Sequence, residues 1–400
     1  MDVKWDSHLF DPLRGELWEG ARQIQRRLSE WRRMFHSRPE LSGCEVNTAR
    51  TILDELSAMG IKAELVPGQN AVVAHVYGEK PGGIAGLRAD MDALPIQEEP
   101  GRDYGSTVPG VMHACGHDAH MAIQLGAAKL LQQTRGLWRG EVRLLFEPAE
   151  ETVGGAQPMA GAGCLEGVGA VFALHMAPGM RTGRLWTRYG AMSGCSNDII
   201  IKVKGTSCHG AYPERGVDAI VIAAQLINSL QAAVSRGVSA LDSVVLSIGM
   251  ICGGTAPNII ADEVTLRGTL RALSEETRDH MLKKIQKLAE GLCEGQGGAC
   301  EMSALPGYHA VICEPALVDR LNDLAREIGM EALTKPTPSL GVDSFGDFTA
   351  VAPGVYYDLG CAANDDAAPL HTARFDVDER CLPLGAYLQA ALAAEAAGRG

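Results

Sequence analysis

The chain of 400 residues is too long for one ordinary core and predicts about two or three domains of roughly 150 residues each. Its 36 Lys and Arg against 49 Asp and Glu give a net charge of −13, which argues against nucleic acid and anionic membranes as partners because both need clustered cationic charge. With 46% apolar and 21% charged residues, the composition is that of a globular protein and excludes a disordered chain.

Helices and strands alternate through the first part of the sequence. Apolar periodicity predicts one amphipathic helix over residues 17–35 and a second over 45–59, ended by Gly60. The next predicted elements are strands 70–77 and 83–88, helix 117–133, and strands 141–146 and 168–174. This alternation favours a largely parallel sheet covered by helices on both faces.

A different order follows residue 190. The predicted elements are strand 198–204, helix 218–235, strands 243–251 and 263–272, helix 275–294 and strand 300–305. Ser274 is the expected N-cap of the last helix, whose first turn carries Glu275 and Glu276 at its positive end. The order β-α-β-β-α-β is that of a ferredoxin-like domain.

The last segment returns to alternation, with helix 315–328, strand 354–359 and helix 380–394. We therefore predict an α/β protein: a large, mostly parallel-sheet domain formed by residues 1–190 and 306–400, interrupted by a smaller ferredoxin-like domain over residues 191–305.

The eleven cysteines are odd in number and scattered, unlike the dense even set of a small disulfide-bonded protein. They favour a reducing compartment in which most thiols are small buried hydrophobes, including Cys195, Cys208 and Cys252. One or two are candidates for metal ligands.

The sequence carries no recognisable address signal. Residues 1–30 are charged throughout and lack the apolar core of a signal peptide. The longest apolar run, residues 219–224, is far shorter than the ~20 residues of a membrane span. We therefore expect a cytoplasmic protein without a membrane partner.

Three predicted strands run directly into acidic residues or histidine. Residues 84–87 lead to Asp90 and Asp92, residues 142–146 lead to the pair Glu150 and Glu151, and residues 168–174 lead to His175. The carboxyl ends of parallel strands converge at one edge of a sheet, where ligands bind. One of two adjacent glutamates can hold a metal while the other takes a proton from water.

A fourth cluster, His113-Ala-Cys-Gly-His-Asp-Ala-His120, lies where a loop leads into the predicted helix 117–133. Thiolate, imidazole and carboxylate groups together suit zinc, manganese, cobalt or nickel. Each feature alone also fits an ordinary loop or a hydrogen-bonded structural side chain. Their coincidence at strand ends predicts a hydrolytic metal site.

The sequence resembles the M20 family of metallopeptidases, and within it the amidohydrolase branch of hippurate hydrolases, N-acyl-amino-acid deacylases and auxin-conjugate hydrolases. The resemblance extends from about residue 20 to 395. It is carried by residues 35–42, 87–97, 112–120, 146–151, 174–175, 205–213, 253–258 and 369–375.

The resemblance implies a role for each matching residue. The expected ligands of one or two divalent metals, Mn²⁺ or Zn²⁺ with Co²⁺ or Ni²⁺ possible, are Cys115, His117, Glu151, His175 and His371. Glu150 is the expected general base, and Asp92 is expected to fix the local geometry around the site. The role of Asp90, which stands where other branches carry a histidine ligand, is left open.

The resemblance also assigns residues to the smaller domain, which it implies to be a lid and dimerisation domain. His209 is expected to polarise the scissile carbonyl and stabilise the oxyanion, either in its own subunit or in the partner of a homodimer. Asn258 and Arg271 are expected to bind the carbonyl and the α-carboxylate of the substrate. Without the resemblance, His209 equally fits a loop cap and Arg271 a solvated charge on an edge-like strand.

The chain departs from the branch pattern in four places: Glu147 replaces a glutamine, Glu214 a histidine, Asp343-Ser344 an acidic pair and Ser207-Cys208 paired glycines. None removes an expected ligand or the base, so the departures bear on substrate identity.

The predicted activity is metal-dependent hydrolysis of N-acyl or N-aroyl amino acids. Alternatives are a dipeptidase or an N-acetyl-diaminopimelate deacetylase, with Glu147 and Glu214 favouring a substrate of extra positive charge. A catalytically silent binding protein is the remaining alternative, which intact site residues argue against.

Overall fold

The computed structural model describes residues 11–398. Its helices are α1 (Pro12–Gln23), α2 (Gln25–His36), α3 (Val46–Ala58), α4 (His117–Gln133), α5 (Ala156–Gly161), α6 (Ala219–Gly237), α7 (Glu275–Gly295), α8 (Pro315–Glu327), α9 (Phe345–Thr349) and α10 (Leu382–Gly398). Its strands are β1 (Lys62–Leu65), β2 (Val72–Tyr77), β3 (Lys80–Asp90), β4 (Arg139–Glu147), β5 (Val168–Arg181), β6 (Arg184–Thr187), β7 (Gly190–Ser193), β8 (Cys195–Lys204), β9 (Val244–Gly253), β10 (Glu263–Ala272), β11 (Ala299–Pro306), β12 (Val311–Cys313), β13 (Glu331–Thr334) and β14 (Gly354–Ala362).

The chain divides into two compact units. Among the described residues, the first unit comprises residues 11–192, 312–337 and 347–398, and the second comprises residues 193–311 and 338–346. Each unit has its own sheet, one mostly parallel and the other antiparallel, as the predicted α/β fold class requires.

The main sheet of the first unit has the order β1-β2-β4-β3-β5-β14. The central pairs β4/β3, β3/β5 and β5/β14 are parallel, whereas β1/β2 and β2/β4 are antiparallel. Strands β4, β3 and β5 therefore lie side by side with their carboxyl ends at the same edge. This places the residues that follow them at one site.

Two helices of the first unit are buried along most of their length. Most residues of α4 and α10 are buried, and α10 packs against α4 and β3. Helix α10 is apolar on nearly all sides, and a helix of this kind is stable in an interior position. Because α4 begins at His117, this rigid core element fixes the position of the His117 side chain.

The predicted helix over residues 17–35 is wrong in its continuity. The structure has two helices, α1 and α2, that meet at Ile24. The backbone of Ile24 (φ −90°, ψ 6°) lies outside the helical region, which interrupts the helix there. The apolar residues keep their helical spacing across Ile24, so the sequence pattern did not reveal the break between α1 and α2.

The second unit has the sheet order β11-β8-β10-β9, with every pair antiparallel. Its chain order, β8-α6-β9-β10-α7-β11, matches the predicted β-α-β-β-α-β pattern. Residues of α6 and α7, such as Leu226 and Ile285, share a core with the inward side chains of the sheet, such as Ile201. As predicted, Ser274 caps α7, accepting a hydrogen bond from the N–H of Thr277.

Among the helices that the structure describes, one, α6, is long and apolar enough to cross a membrane when judged by length and composition alone. One face of α6 packs in the core of the second unit through residues such as Leu226 and Leu230. A core helix of a globular protein meets the same criterion, so this single helix is weak evidence for a membrane span.

Candidate metal centre

The site lies at the carboxyl edge of the main sheet. Strand β3 ends at Asp90 and β4 ends at Glu147, so the loops that follow them carry Asp92 and Glu150 to the same edge. The predicted end of the next strand at Leu174 is wrong, because β5 continues to Arg181 and His175 lies within it. The long parallel pairing of β5 with β14 extends the strand past the predicted end.

A left-handed glycine shapes the loop before α4. Gly116 has φ +94°, and a Cβ at this position would lie 2.8 Å from Cγ of Met176. Both constraints require glycine. The resulting turn brings the side chains of Cys115 and His117 to the same cluster although they flank the glycine.

Five of the residues expected to bind metal come together here. Cys115 Sγ lies 3.3 Å from His175 Nε2 and 3.2 Å from His371 Nε2. Oε1 of Glu151 lies 3.4 Å from His371 Nε2 and 3.8 Å from His117 Nε2. These residues form overlapping three-residue groups, one of which adds Glu150, with the ligand atoms of each group within 4.8 Å of one another.

Two of the imidazoles are oriented by backbone carbonyls. His117 Nδ1 lies 2.8 Å from the carbonyl oxygen of Asp92, and His175 Nδ1 lies 3.0 Å from that of Met176. An imidazole that donates from Nδ1 presents Nε2 as a free electron pair. In both residues Nε2 is the atom that faces the cluster.

Asp92 is nearly fully buried beneath the two glutamates. Its Oδ1 accepts the N–H of Glu150 at 3.1 Å, and its Oδ2 accepts the N–H of Glu151 at 3.0 Å and the hydroxyl of Ser42 at 2.7 Å. Burial acts to raise the pKa of Asp92, but the neighbouring His117 imidazole, together with the bonds from Ser42 and Glu151, lowers it. Asp92 therefore holds the backbone of both glutamates.

The electrostatics of the cluster favour a bound cation. Burial raises the pKa of the Cys115 thiol. Burial disfavours a charged His117, yet the nearby Asp90 carboxylate raises the pKa of His117 well above its usual value. A metal ion can replace these protons as the positive charge among the anionic groups.

Two of the expected ligands each have a buried ring or carboxylate atom that makes no hydrogen bond. Among residues 11–398, neither Nε2 of His117 nor Oε1 of Glu151 has a hydrogen-bond partner. An uncompensated buried polar atom is costly, and both are of the type that binds divalent metals. The donor set of thiolate, imidazole and carboxylate thus fits a metal of the zinc or manganese class.

Two non-glycine residues at the site have positive φ. Ala149, which precedes Glu150, has φ +58°, and His371 has φ +60°. Such backbone costs energy and tends to occur at functional sites. Here the strain accompanies the placement of the predicted base and one expected ligand.

The three other predicted site residues lie in the second unit. His209 and Asn258 lie in two loops that pair with each other. His209 pairs with Ile259 as in a strand, and the N–H of Gly210 donates to the carbonyl of Asn258. Both residues are exposed. His209 Nδ1 also accepts the N–H of Ala211 at 3.1 Å.

Arg271 does not lie on an edge strand, contrary to the sequence interpretation. Its strand β10 is central, paired with β8 on one side and β9 on the other. The guanidinium Nη1 donates to the carbonyl of Leu340 at 3.0 Å, which holds the partly buried side chain in place.

Some predictions about individual residues are wrong. Glu147 is fully buried, and its carboxylate accepts from Arg88 Nε at 2.7 Å and from the N–H of Gly155 at 3.0 Å. It cannot present its charge to a substrate. Cys252 is exposed on the edge strand β9 and Cys208 is partly exposed, so neither is a buried hydrophobe, whereas Cys195 is buried as predicted.

The sequence favoured packing or hydrogen-bonding roles for His36 and His120, but it did not identify their partners in two buried polar networks beside the site. One joins Arg88, Asp90 and His120, and the other joins His36 and Asp118 at 2.8 Å. Helical spacing of three residues between His117 and His120 was the available signal, because it puts both rings on one face of α4.

A family model supports the same conclusion as the geometry. The model of peptidase family M20/M25/M40 matches residues 86–395. The chain belongs to this family. It is accordingly a hydrolase that acts on amide bonds, and the catalytically silent alternative is not retained.

Named relatives are similar over most of the chain. An N-acyl-L-amino acid amidohydrolase of Geobacillus stearothermophilus is 40% identical over 283 residues, covering 70% of this chain and 76% of the relative. Thermostable carboxypeptidase 1 of Saccharolobus solfataricus is 36% identical over 384 residues, covering 94% and 97%. The solved structure of the Bacillus subtilis YXEP protein, described as a dinuclear metal binding peptidase of the M20 family, superimposes with a TM-score of 0.83 at 31% identity, covering 94% of this chain and 99% of that one.

Proposed function

We propose that the protein is a metal-dependent amidohydrolase that cleaves N-acetyl or N-aroyl amino acids into a carboxylic acid and the free amino acid. The observation that carries this proposal is the convergence of Cys115, His117, Glu151, His175 and His371 beside Glu150. The similarity to an N-acyl-L-amino acid amidohydrolase supports the substrate class.

We propose that these five residues hold one or two divalent cations, Mn²⁺ or Zn²⁺ being the first candidates. When bound, such a cation supplies Lewis-acid chemistry, which lowers the pKa of water and polarises a carbonyl. Cys115 binds as the thiolate, so the thiol must be reduced. Residues 11–398 include all eleven cysteines, and every one is free, which is consistent with the proposed cytoplasmic location.

Glu150 is the proposed general base. It shares a three-residue group with His117 and Glu151, with ligand atoms within 4.8 Å of one another. Its carboxylate takes a proton from water and later delivers it to the nitrogen of the departing amine. Asp92, which accepts the N–H of Glu150, holds the base in position.

The substrate-binding roles in the second unit rest on the family resemblance. His209 stabilises the oxyanion, Asn258 binds the substrate carbonyl and Arg271 pairs with the α-carboxylate. The loop pair that joins His209 and Asn258 supports a common role for these two residues.

A homodimer through the second unit is the proposed assembly. Strand β9 is at the edge of its sheet, and the side chains of Met250 and Ile251 are 56% and 55% exposed. An apolar edge strand with unpaired backbone groups is a surface that proteins usually cover. A second copy of the chain can cover it by pairing edge to edge.

A substrate screen with added Mn²⁺ tests the activity. Release of free amine is measured from N-acetyl and N-benzoyl derivatives of neutral, acidic and basic amino acids. We expect hydrolysis of at least one N-acyl amino acid and none of the matching amide that lacks a free α-carboxylate. Equal rates for both would remove the proposed role of Arg271.

The second candidate is cleavage of peptides, as a dipeptidase or carboxypeptidase, which the similarity to a thermostable carboxypeptidase favours. Dipeptides with the same C-terminal residues, included in the screen, decide between the two. An N-acetyl-diaminopimelate deacetylase is the remaining variant. Of the two acidic residues that favoured a positively charged substrate, the buried Glu147 is paired with Arg88, and the exposed Glu214 lies 3.5 Å from the guanidinium of its neighbour Arg215.

A further inference from the structure

Behind the metal centre lies a second buried group of side chains that the proposed reaction does not use. Arg88, Asp90 and His120 are 3%, 0% and 2% exposed. Buried charges of this kind are expensive unless each is paired. The hydrogen bonds of the group run from the interior of the sheet toward one expected metal ligand.

His120 is held at both ring nitrogens. The backbone N–H of Met176 donates to Nε2 at 3.0 Å, and Nδ1 lies 2.6 Å from Oδ1 of Asp90. Because an N–H can only donate, Nε2 is the unprotonated nitrogen and Nδ1 carries the proton that bonds to Asp90.

Asp90 is in turn fixed by Arg88. Its second oxygen, Oδ2, accepts from Arg88 Nη1 at 2.6 Å, while Arg88 Nε donates to Glu147 at 2.7 Å. Both oxygens of Asp90 are therefore engaged by strong charge-assisted or buried hydrogen bonds. This arrangement makes Asp90 an anchor for His120.

The network contacts His117 through Asp90, whose Oδ2 lies 3.7 Å from His117 Nε2, and it reaches His175 at Met176. The carbonyl of Met176 lies 3.0 Å from Nδ1 of His175, so that Nε2 of His175 faces Cys115 at 3.3 Å. The ring centroids of His120 and His175 are 4.9 Å apart in an edge-to-face arrangement. His120 thus contacts both the backbone and the ring that set the orientation of His175.

We propose that Arg88, Asp90 and His120 are positioning residues that fix Met176 and, through it, the tautomer and ring orientation of His175. The inference rests on the proposed function, since orientation of Nε2 matters only where a metal is bound. Outer partners of metal ligands typically alter metal affinity by about 10- to 100-fold when changed.

Two substitutions of His120 separate positioning from packing. In His120→Gln the side-chain carbonyl can occupy the place of Nε2 and accept the N–H of Met176. In His120→Asn the shorter amide can replace only the Nδ1 contact with Asp90. We expect His120→Asn to bind Co²⁺ about 10- to 100-fold more weakly than the parent protein, and His120→Gln to recover most of that loss.

The measurement is titration of the metal-free protein with Co²⁺ against a coloured chelator, together with the near-ultraviolet charge-transfer band of a cysteine thiolate bound to Co²⁺. Gln124→Met is the matched control, because Gln124 is also buried on α4 and bonds to the carbonyl of Leu145, outside the network. We expect this control to lose stability while keeping its Co²⁺ affinity and its band.

The outcomes distinguish the inference from the proposed function. Absence of the thiolate band in the parent protein would contradict the metal centre itself. If the parent protein shows the band, two results would overturn the positioning role. One is a Co²⁺ affinity of His120→Asn equal to that of the parent, and the other is a Co²⁺ affinity of His120→Gln as low as that of His120→Asn. If the His120 variants do not fold, Arg88→Lys is used in their place. A lysine cannot bridge Asp90 and Glu147 as the guanidinium does, and it is not a metal ligand here. An unchanged Co²⁺ affinity in this variant would also overturn the positioning role.

Discussion

The carboxylate of Asp92 accepts the backbone N–H of Glu151 at 3.0 Å, and its other oxygen accepts the N–H of Glu150 at 3.1 Å. One buried side chain therefore fixes both the proposed base and one proposed ligand. Ala149, which lies between the end of β4 and Glu150, has a left-handed backbone conformation. Such a conformation persists only where surrounding contacts hold it, and the bonds to Asp92 supply contacts of this kind.

Asp92→Asn tests this support. An asparagine of the same size offers one acceptor oxygen, and its NH₂ group opposes one of the two backbone N–H groups. We expect metal affinity to fall by about 10- to 100-fold and kcat/KM to fall with it. Competition with a chelator measures the affinity. Ser42→Ala, which removes one other bond to Asp92, is the milder control and should change affinity less.

Glu150→Gln tests the base. The amide keeps the size of the side chain but cannot take a proton, so we expect kcat to fall at least about 10²- to 10⁴-fold. The metal content, measured by elemental analysis, should match that of the parent protein. Hydrolysis at the parental rate would contradict the assignment of Glu150. Loss of metal together with activity would instead make Glu150 a ligand.

Metal removal tests the centre as a whole. Dialysis against a strong chelator should abolish hydrolysis, and added Mn²⁺ or Zn²⁺ should restore it. A ligand that binds only the folded chain stabilises it by about 2.7 kcal/mol at a concentration 100-fold above Kd. We therefore expect the Tm of the metal-free protein to rise on addition of metal. Activity that survives chelation would rule out the metal mechanism.

Acid stability is expected to depend on Glu98. Burial acts to raise the pKa of Glu98, but bonds from His36, Ser106 and Arg102 outweigh it and lower the pKa from 4.5 to about 2. A carboxyl group whose pKa is lower in the folded than in the unfolded protein stabilises the fold at pH values above its unfolded-state pKa. This contribution is lost as the pH falls from about 4.5 to 2. It amounts to about 3 kcal/mol.

Urea unfolding across this pH range measures the effect. The unfolding free energy of the parent protein should decrease more steeply between pH 4.5 and 2 than that of Glu98→Gln, which has no carboxyl to protonate there. Parallel curves for the two proteins would contradict the pKa of Glu98.

The sequence predicted those parts of the site that depend on regular elements. The start of α4 at His117 and the convergence of β3, β4 and β5 follow from apolar periodicity and from the geometry of parallel sheets. The positive φ of His371 has no such signal, since histidine rarely adopts it without tertiary contacts.

The buried networks were equally beyond pattern reading. The contact of His120 with Met176 joins residues 56 positions apart, and its register depends on how α4 packs over β5. The neutralisation of Glu147 by Arg88 likewise depends on the parallel register of β3 and β4. Both contacts are set by packing, which a local pattern does not record.

The edge strand β9 supplies the last prediction. Met250 and Ile251 lie on β9 with more than half of each side chain exposed, and a charge at such an edge opposes pairing with another strand. We expect the parent protein to have the mass of a dimer and Met250→Lys to shift it toward the monomer, measured by light scattering after size-exclusion chromatography. Val351→Lys, at a site 59% exposed in the first unit, is the matched control and should remain dimeric. A parent protein that is monomeric at all concentrations would contradict the proposed dimer, and an unchanged dimer in Met250→Lys would place its interface elsewhere.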